Sequence, residues 1–275
     1  MLEIKVYFLP WYIYSGIILT TLISTVLSFY FFKRKKKEWY FKAYRFSFTF
    51  CAWASCYLLI EILYNVFTFN LKTGNPGLLP IIDNLNTYFL NRSYQWPLLI
   101  LLIFILFPDK KARMESFIHF GDVKAPSDLT QNKRSWFYFL NFWIIAIVFS
   151  ALFMIYKKSA GITLGRAAYY SLIPLFLGAM NNSIIEEVLF RGVLLSRFSE
   201  VLGPVRGNLL QAVLFSFMHF NLELAGAKLI MQTILFLFLG WFWGKSTLQT
   251  KGIFVPFIMH STLVMAMWVI QLYAR

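Results

Sequence analysis

Charged residues are scarce in this chain of 275 residues. Lys, Arg, Asp and Glu together make up 14% of the sequence, whereas a soluble domain contains about 25%. Hydrophobic residues make up 59% and aromatic residues 20%. The shortage of charge excludes an ordinary soluble globular domain. Apolar runs of about 18 residues or more recur along the chain, as membrane-spanning helices require. The composition predicts an all-α, polytopic membrane helical bundle.

Among the charged residues, acidic ones are scarcer than basic ones. The chain has 12 Asp and Glu against 26 Lys and Arg, which gives a formal net charge of +14. Nucleic-acid-binding proteins also carry such an excess, but no binding module is recognisable in the sequence. Instead, the basic residues cluster between apolar runs, at 33–45 and 108–134, as they do in cytoplasmic loops. We therefore expect membrane lipids, and no nucleic acid, as partners.

Cysteine is rare as well. Cys51 and Cys56 both lie in one predicted span and face different sides of it, so the sequence implies no disulfide framework and does not indicate a redox compartment. The apolar run 9–32 is too long for the hydrophobic region of a signal peptide, and it lacks a small-residue cleavage site. We expect this run to be the first span, with the N-terminus outside and the basic cluster 33–37 in the cytoplasm.

The apolar runs predict about eight transmembrane helices. Their approximate bounds are 9–32, 44–69, 90–107, 136–156, 168–197, 206–222, 228–244 and 253–273. Residues 108–135 form the longest polar stretch and are called the connector below; we expect the connector to be cytoplasmic. The sequence divides into an N-terminal region of membrane helices with basic cytoplasmic loops, 1–160, and a C-terminal catalytic helical core, 161–275.

The stretch NNSIIEEVLFRGVLLSRF, residues 181–198, places carboxylates and an arginine inside a predicted span. A charge at the bilayer centre costs about 2.5–3.5 kcal/mol, so these side chains need partners. Glu187 and Arg191 are four residues apart on one helix face and are predicted to form an ion pair. Glu186 is rotated by about 100° from Glu187, so its partner must come from another helix.

Two histidines are candidates for that partner. His219 lies in the sixth predicted span and His260 in the eighth. At 1.5 Å per residue, both fall with Glu186 roughly 10–20 Å below the predicted cytoplasmic surface. A carboxylate with two imidazoles can bind zinc or activate water. Taken singly, each histidine is as often a hydrogen-bonding group between helices, and a Glu–Arg pair is often structural. The ordered set favours a functional site.

Two motifs in this region resemble a known family. The segment EEVLFR, 186–191, matches the EExxxR motif of the CPBP family, which comprises CAAX proteases and bacteriocin-processing (Abi) proteins. The segment FSFMH, 215–219, matches the FxxxH motif of that family. His260, with Pro256 four residues before it, supplies a third position. The resemblance covers about residues 165–270.

The resemblance implies an intramembrane endopeptidase of the type II CAAX prenyl endopeptidase kind, open to the cytoplasmic side. In the family, the residue corresponding to Glu186 activates water, and those corresponding to Glu187 and Arg191 pair with each other. The two histidines bind a metal or polarise the scissile carbonyl. In the metal-binding alternative, Glu186, His219 and His260 are the expected ligands of a zinc ion. The expected substrate is a peptide or a lipidated protein.

One position departs from the family pattern. The third motif is HxxxN, whose Asn is taken to stabilise the oxyanion, but the sequence here is HSTLV, which ends at Val264. Valine cannot donate a hydrogen bond, and loss of one oxyanion donor can lower a rate by about 10²–10³. Asn181, Asn182, Asn208 and Asn221 are candidates to replace it.

Two other functions compete with proteolysis. Because of Val264, the chain could be a weak or inactive relative that acts as a membrane scaffold or a bacteriocin-immunity protein. Intramembrane Glu and His residues also serve proton-coupled transporters. The lack of an inverted repeat and the clustering of these residues in one half of the chain argue against transport.

Overall fold

The computed structural model describes residues 11–72, 93, 95–158, 166–220 and 224–273. Within these ranges the chain is almost wholly helical, and the only β-type pairing is an isolated bridge between Pro126 and Ser135. The prediction of an all-α fold is confirmed for this part of the chain.

The described helices fall into two groups along the chain. The first comprises α1 (Trp11–Lys35), α2 (Glu38–Lys72), α3 (Gln95–Leu106), the short α4 (Lys110–Glu115) and α5 (Trp136–Lys158). The second comprises α6 (Arg166–Glu187), a π-helical segment (Val188–Leu195), α7 (Ser196–Leu202), α8 (Pro204–Met218), α9 (Ala227–Thr250) and α10 (Phe254–Tyr273).

The lengths and apolar character of these helices test the predicted number of spans. Four are long and apolar enough to cross a membrane, and they cover Tyr12–Lys35, Trp136–Tyr156, Leu172–Leu202 and Ala227–Thr250. Gln95–Leu106 and Phe254–Ile270 are shorter apolar helices. The count of about eight spans is therefore not confirmed, although the predicted spans 44–69 and 206–222 overlap α2 and α8. The start of the predicted span 90–107 lies outside the described residues.

The second group is centred on one long, buried helical rod. α6 continues through the π-helical segment into α7, and 61% of its most apolar window is buried inside the protein, against 6% for α1. α10 packs against α5 and α6, α9 packs against α8, and α2 packs against α7. Gly203, with a φ of 83°, ends α7, and Pro204 begins α8 at the first helical position. This turn directs α8 back along the rod.

The connector closes one end of this group. The backbone N–H of Phe117 donates to Oγ of Ser196 in α7 at 2.8 Å. The N–H of Asp122 donates to the carbonyl of Thr250 at 2.7 Å, and the N–H of Ile253 donates to the carbonyl of His119 at 2.9 Å. The connector is thus hydrogen-bonded to the rod and to the loop between α9 and α10.

Two glycines allow this close approach of backbones. Gly121 of the connector has a φ of 79°, in the left-handed region that favours glycine. A Cβ atom at Gly121 would lie 2.6 Å from the carbonyl oxygen of Thr250, and one at Gly252 would collide with the backbone of Gly121. Neither position has room for a side chain.

Candidate active site

The acidic residues of the site lie where the rod changes from α-helix to π-helix. Glu186 and Glu187 are the last two residues of α6, and Arg191 lies within the π-helical segment Val188–Leu195. π-Helical turns are rare and occur frequently at functional sites. Glu186 is 6% exposed, and Glu187 and Arg191 are fully buried. The carboxylates therefore lie in an interior largely shielded from solvent.

The predicted ion pair is present. Nη1 of Arg191 donates to Oε1 of Glu187 at 3.1 Å. The same oxygen accepts a second hydrogen bond, from Nδ1 of His260 at 2.8 Å. Glu187 therefore links α6, the π-helical segment and α10 through one carboxylate oxygen. Sequence reasoning found the pair with Arg191 but not the bond to His260.

Aromatic rings surround the guanidinium of Arg191. Its Cζ atom lies 4.3 Å from the ring centroid of Phe215 and 5.3 Å from that of Trp243. Within the described part of the chain, Nε and Nη2 of Arg191 have no hydrogen-bond partner. The ring faces compensate in part, because desolvated cation–π contacts stabilise by about 2 kcal/mol.

His219 is held at the C-terminal end of α8 as the capping residue. Its Nδ1 lies 2.8 Å from the carbonyl oxygen of Phe215, which can only accept, so Nδ1 carries the proton. The imidazole stacks on the ring of Phe236 with a centroid separation of 4.3 Å. These contacts fix both the tautomer and the orientation of the imidazole, and its Nε2 faces Glu186.

His260 is fixed in the same way. The carboxylate of Glu187 accepts from Nδ1, which assigns the proton of a neutral imidazole to that nitrogen. The ring stacks on Trp243 with a centroid separation of 4.6 Å, and the side chain is 5% exposed. As in His219, Nε2 remains available toward Glu186.

The three predicted residues converge on one point. Oε2 of Glu186 lies 3.4 Å from Nε2 of His219 and 3.9 Å from Nε2 of His260. With both Nδ1 atoms protonated, two nitrogen lone pairs face a carboxylate oxygen. A water molecule or a cation between these groups would interact favourably with all three. Glu186, His219 and His260 can therefore polarise a water molecule and accept a proton from it.

The donor atoms match the chemistry of a zinc site, since two imidazole nitrogens and one carboxylate oxygen are a known zinc ligand set. The Nδ1–H bonds of His219 and His260 to oxygen acceptors are also typical of metal-bound histidines. Among the residues that the structure describes, however, no group of three His, Cys, Asp or Glu side chains has an arrangement that could hold a metal ion. Zinc binding by Glu186, His219 and His260 stays a prediction.

The asparagines that were candidates to replace the missing oxyanion donor have different environments. The side chain of Asn181 contacts Trp96 and Ser93, and that of Asn208 contacts the carbonyl of Trp241. Asn221 lies outside the described residues. Asn182 is buried and lies one helical turn before Glu186, on the same face of α6. Val264 is buried in α10.

Sequence reasoning missed Trp243, which contacts both Arg191 and His260. Its location follows from a close contact of α8 with α9. A Cβ atom at Gly240 would lie 2.9 Å from Cα of Ala212, and one at Gly244 would collide with the side chain of Asn208. The GWFWG segment is a GxxxG pattern, which indicates close helix packing. That pattern is the signal that could have placed Trp243 near the FxxxH helix.

Residues 168–266 match the family model described as Type II CAAX prenyl endopeptidase Rce1-like. The matched segment is about a third of the chain and contains the five residues predicted for the site: Glu186, Glu187, Arg191, His219 and His260. Neither the search of curated proteins nor the search of solved structures gave a match.

Proposed function

Since residues 168–266 match the family model of Rce1-like type II CAAX prenyl endopeptidases, we propose that the protein is an intramembrane endopeptidase in which Glu186 activates water. The single observation that carries this proposal is the approach of Oε2 of Glu186 to the Nε2 atoms of His219 and His260, at 3.4 and 3.9 Å. A water oxygen can lie within hydrogen-bonding distance of all three groups.

In the proposed reaction, Glu186 removes a proton from this water as its oxygen attacks the carbonyl carbon of the scissile peptide bond. The new C–O bond converts the carbonyl oxygen to an oxyanion. Proton transfer from Glu186 to the amide nitrogen then allows the C–N bond to break, which leaves a carboxylic acid and an amine.

Glu187 and Arg191 serve to position the imidazole of His260 in the proposed reaction. The hydrogen bond from Nδ1 of His260 to Glu187 keeps the ring oriented with its Nε2 toward Glu186. Arg191 offsets the buried charge of Glu187. A comparable carboxylate–histidine arrangement orients the base in other hydrolases.

We propose Asn182 as the donor that stabilises the oxyanion in place of the family asparagine, whose position holds Val264. An oxyanion donor must reach the carbonyl oxygen that becomes the oxyanion, and Asn182 lies one turn from Glu186 on the same helix face. The amides of Asn181 and Asn208 support other helix contacts.

The proposed substrate is a peptide or a lipidated protein that reaches the site from the cytoplasmic face of the membrane. Zinc bound by Glu186, His219 and His260 would supply a Lewis acid that lowers the pKa of a bound water. Only protein groups, water and the substrate take part in the proposed reaction. The family match does not favour the alternative of a non-catalytic scaffold or immunity protein.

The decisive experiment replaces Glu186 with Gln in the full chain reconstituted in proteoliposomes. The probes are a farnesylated peptide ending in a CAAX sequence and the same peptide without the lipid, with product measured by mass spectrometry. We expect the wild type to cleave and Glu186→Gln to be inactive while retaining its thermal stability. Glu115→Gln, which changes an exposed glutamate of α4, is the matched control. Cleavage retained by Glu186→Gln would refute the role of Glu186.

A further inference from the structure

A cleft of about 720 Å³ lies between the end of the connector and the aromatic face of α5. None of the residues that line it belongs to the Glu–His site. Its walls include Tyr138, Phe142 and Trp143 of α5 and Phe242 of α9, and its polar end includes Thr130 and Arg134. One end of the cleft is therefore cationic and polar, and the remainder is aromatic.

We propose that this cleft binds an anionic phospholipid, with the phosphate at Arg134 and an acyl chain along the aromatic wall. α5 is a candidate membrane span that begins at Trp136, so the preceding turn lies at the level of the lipid headgroups. Tyr138 is 44% exposed and Phe142 is 65% exposed. These rings lie one turn apart and present a continuous apolar surface to a lipid chain.

The charges around the polar end favour an anion. The guanidinium of Arg134 lies over the ring of Tyr138, with 4.3 Å from Cζ to the centroid, and the residue is exposed. A guanidinium matches the geometry of phosphate oxygens. Lys133 adds a second exposed cation. The nearby acid Asp128 already pairs with Lys245 at 2.8 Å, so its charge is compensated.

The cleft also contacts the helix that carries His260. Nε1 of Trp143 donates to the carbonyl oxygen of Met259 at 2.9 Å. The Trp143 ring lies 6.3 Å from that of Trp243, which stacks on His260. A lipid chain packed against Trp143 would therefore stabilise the position of Trp243, the ring on which His260 stacks. The lipid site itself does not depend on the proposed protease function.

The test is native mass spectrometry of the detergent-purified full chain with added phosphatidylglycerol or phosphatidylcholine. We expect the wild type to retain one phosphatidylglycerol in preference to phosphatidylcholine, and excess inorganic phosphate not to displace it. Arg134→Gln should lower the affinity for phosphatidylglycerol about fivefold, since one cation near an anionic headgroup has about that effect. Lys33→Gln is the matched control, because Lys33 also lies over a ring at the end of a span.

A fluorescence experiment then locates the lipid. Phosphatidylglycerol brominated in its acyl chains should quench the wild type more than Trp143→Phe, with no such difference for brominated phosphatidylcholine. Three results would each overturn the proposal. They are equal binding of the two lipids, an equal loss of phosphatidylglycerol affinity in Arg134→Gln and Lys33→Gln, and displacement of the lipid by inorganic phosphate. Retained thermal stability of each variant shows that the comparison is made between folded proteins.

Discussion

Nδ1 of His260 lies 2.8 Å from Oε1 of Glu187, the same oxygen that Arg191 approaches at 3.1 Å. One buried carboxylate thus joins a histidine on α10 to a cation on the π-helical segment. The relationship has two consequences: it fixes the tautomer of His260, and it makes the stability of the site depend on a charge that has no access to solvent.

Replacing Glu187 with Gln should destabilise the protein strongly. The amide can still accept a bond from His260, but Arg191 would be left as an unpaired buried charge, which costs about 3–5 kcal/mol. The double variant Glu187→Gln, Arg191→Met should be more stable than Glu187→Gln alone, because it removes that charge. Thermal unfolding in detergent measures both, and additive losses would contradict the coupling of the pair.

Replacing Asn182 with Leu should lower kcat by about 10²–10³ with little change in KM, because an oxyanion donor acts in the transition state and not on the bound substrate. The measurement uses whichever CAAX peptide the wild type cleaves. Asn141→Leu, which changes an exposed asparagine of α5, is the control. An Asn182→Leu enzyme with unchanged kcat would assign the oxyanion to another group.

Metal analysis tests the zinc prediction separately from activity. If Glu186, His219 and His260 hold zinc, the purified wild type should contain close to one equivalent, and His219→Ala and His260→Ala should each lose it. Elemental mass spectrometry gives the ratio directly. A folded wild type without metal would contradict the zinc site and would leave the water-activation scheme through Glu186 intact.

Replacing Gly121 with Ala should destabilise the protein by more than about 1 kcal/mol, because its φ of 79° is strained for alanine and its Cβ would meet the carbonyl of Thr250. Gly16→Ala is the opposite case. No atom lies within 4 Å of its Cβ position in α1, and alanine favours a helix by about 0.5–1 kcal/mol. Thermal midpoints in one detergent compare the two. Equal midpoints would contradict the tight contact of the connector.

Local patterns predicted the contacts among these residues better than they predicted the residues packed around them. The four-residue spacing of Glu187 and Arg191 predicts a contact that depends on helix geometry alone, and this contact is present. The motif spacing and depth estimates placed Glu186, His219 and His260 together, as the distances show. The division into 1–160 and 161–275, the orientation in the membrane and the catalytic roles stay predictions.

Features that depend on distant parts of the chain were not predictable in this way. The π-helical segment has the same apolar composition as an α-helix, so no local signal marks it. Trp243 and Phe236 are two of many aromatic residues, and their contacts with His260 and His219 depend on how α9 packs on α8. The length and hydropathy of a run likewise predict a helix more securely than they predict a crossing of the membrane.

The contact of Gly121 with Gly252 bears on how this site can be engineered. The family-matched segment 168–266 is bounded by sequence similarity, but its loop at Gly252 is hydrogen-bonded to a connector that the match does not include. Grafting this segment onto another set of membrane helices would remove those partners. A chimera that also carries residues 116–123 would preserve the hydrogen bonds between the connector and this loop. We therefore expect a chimera to be active only when it includes this part of the connector.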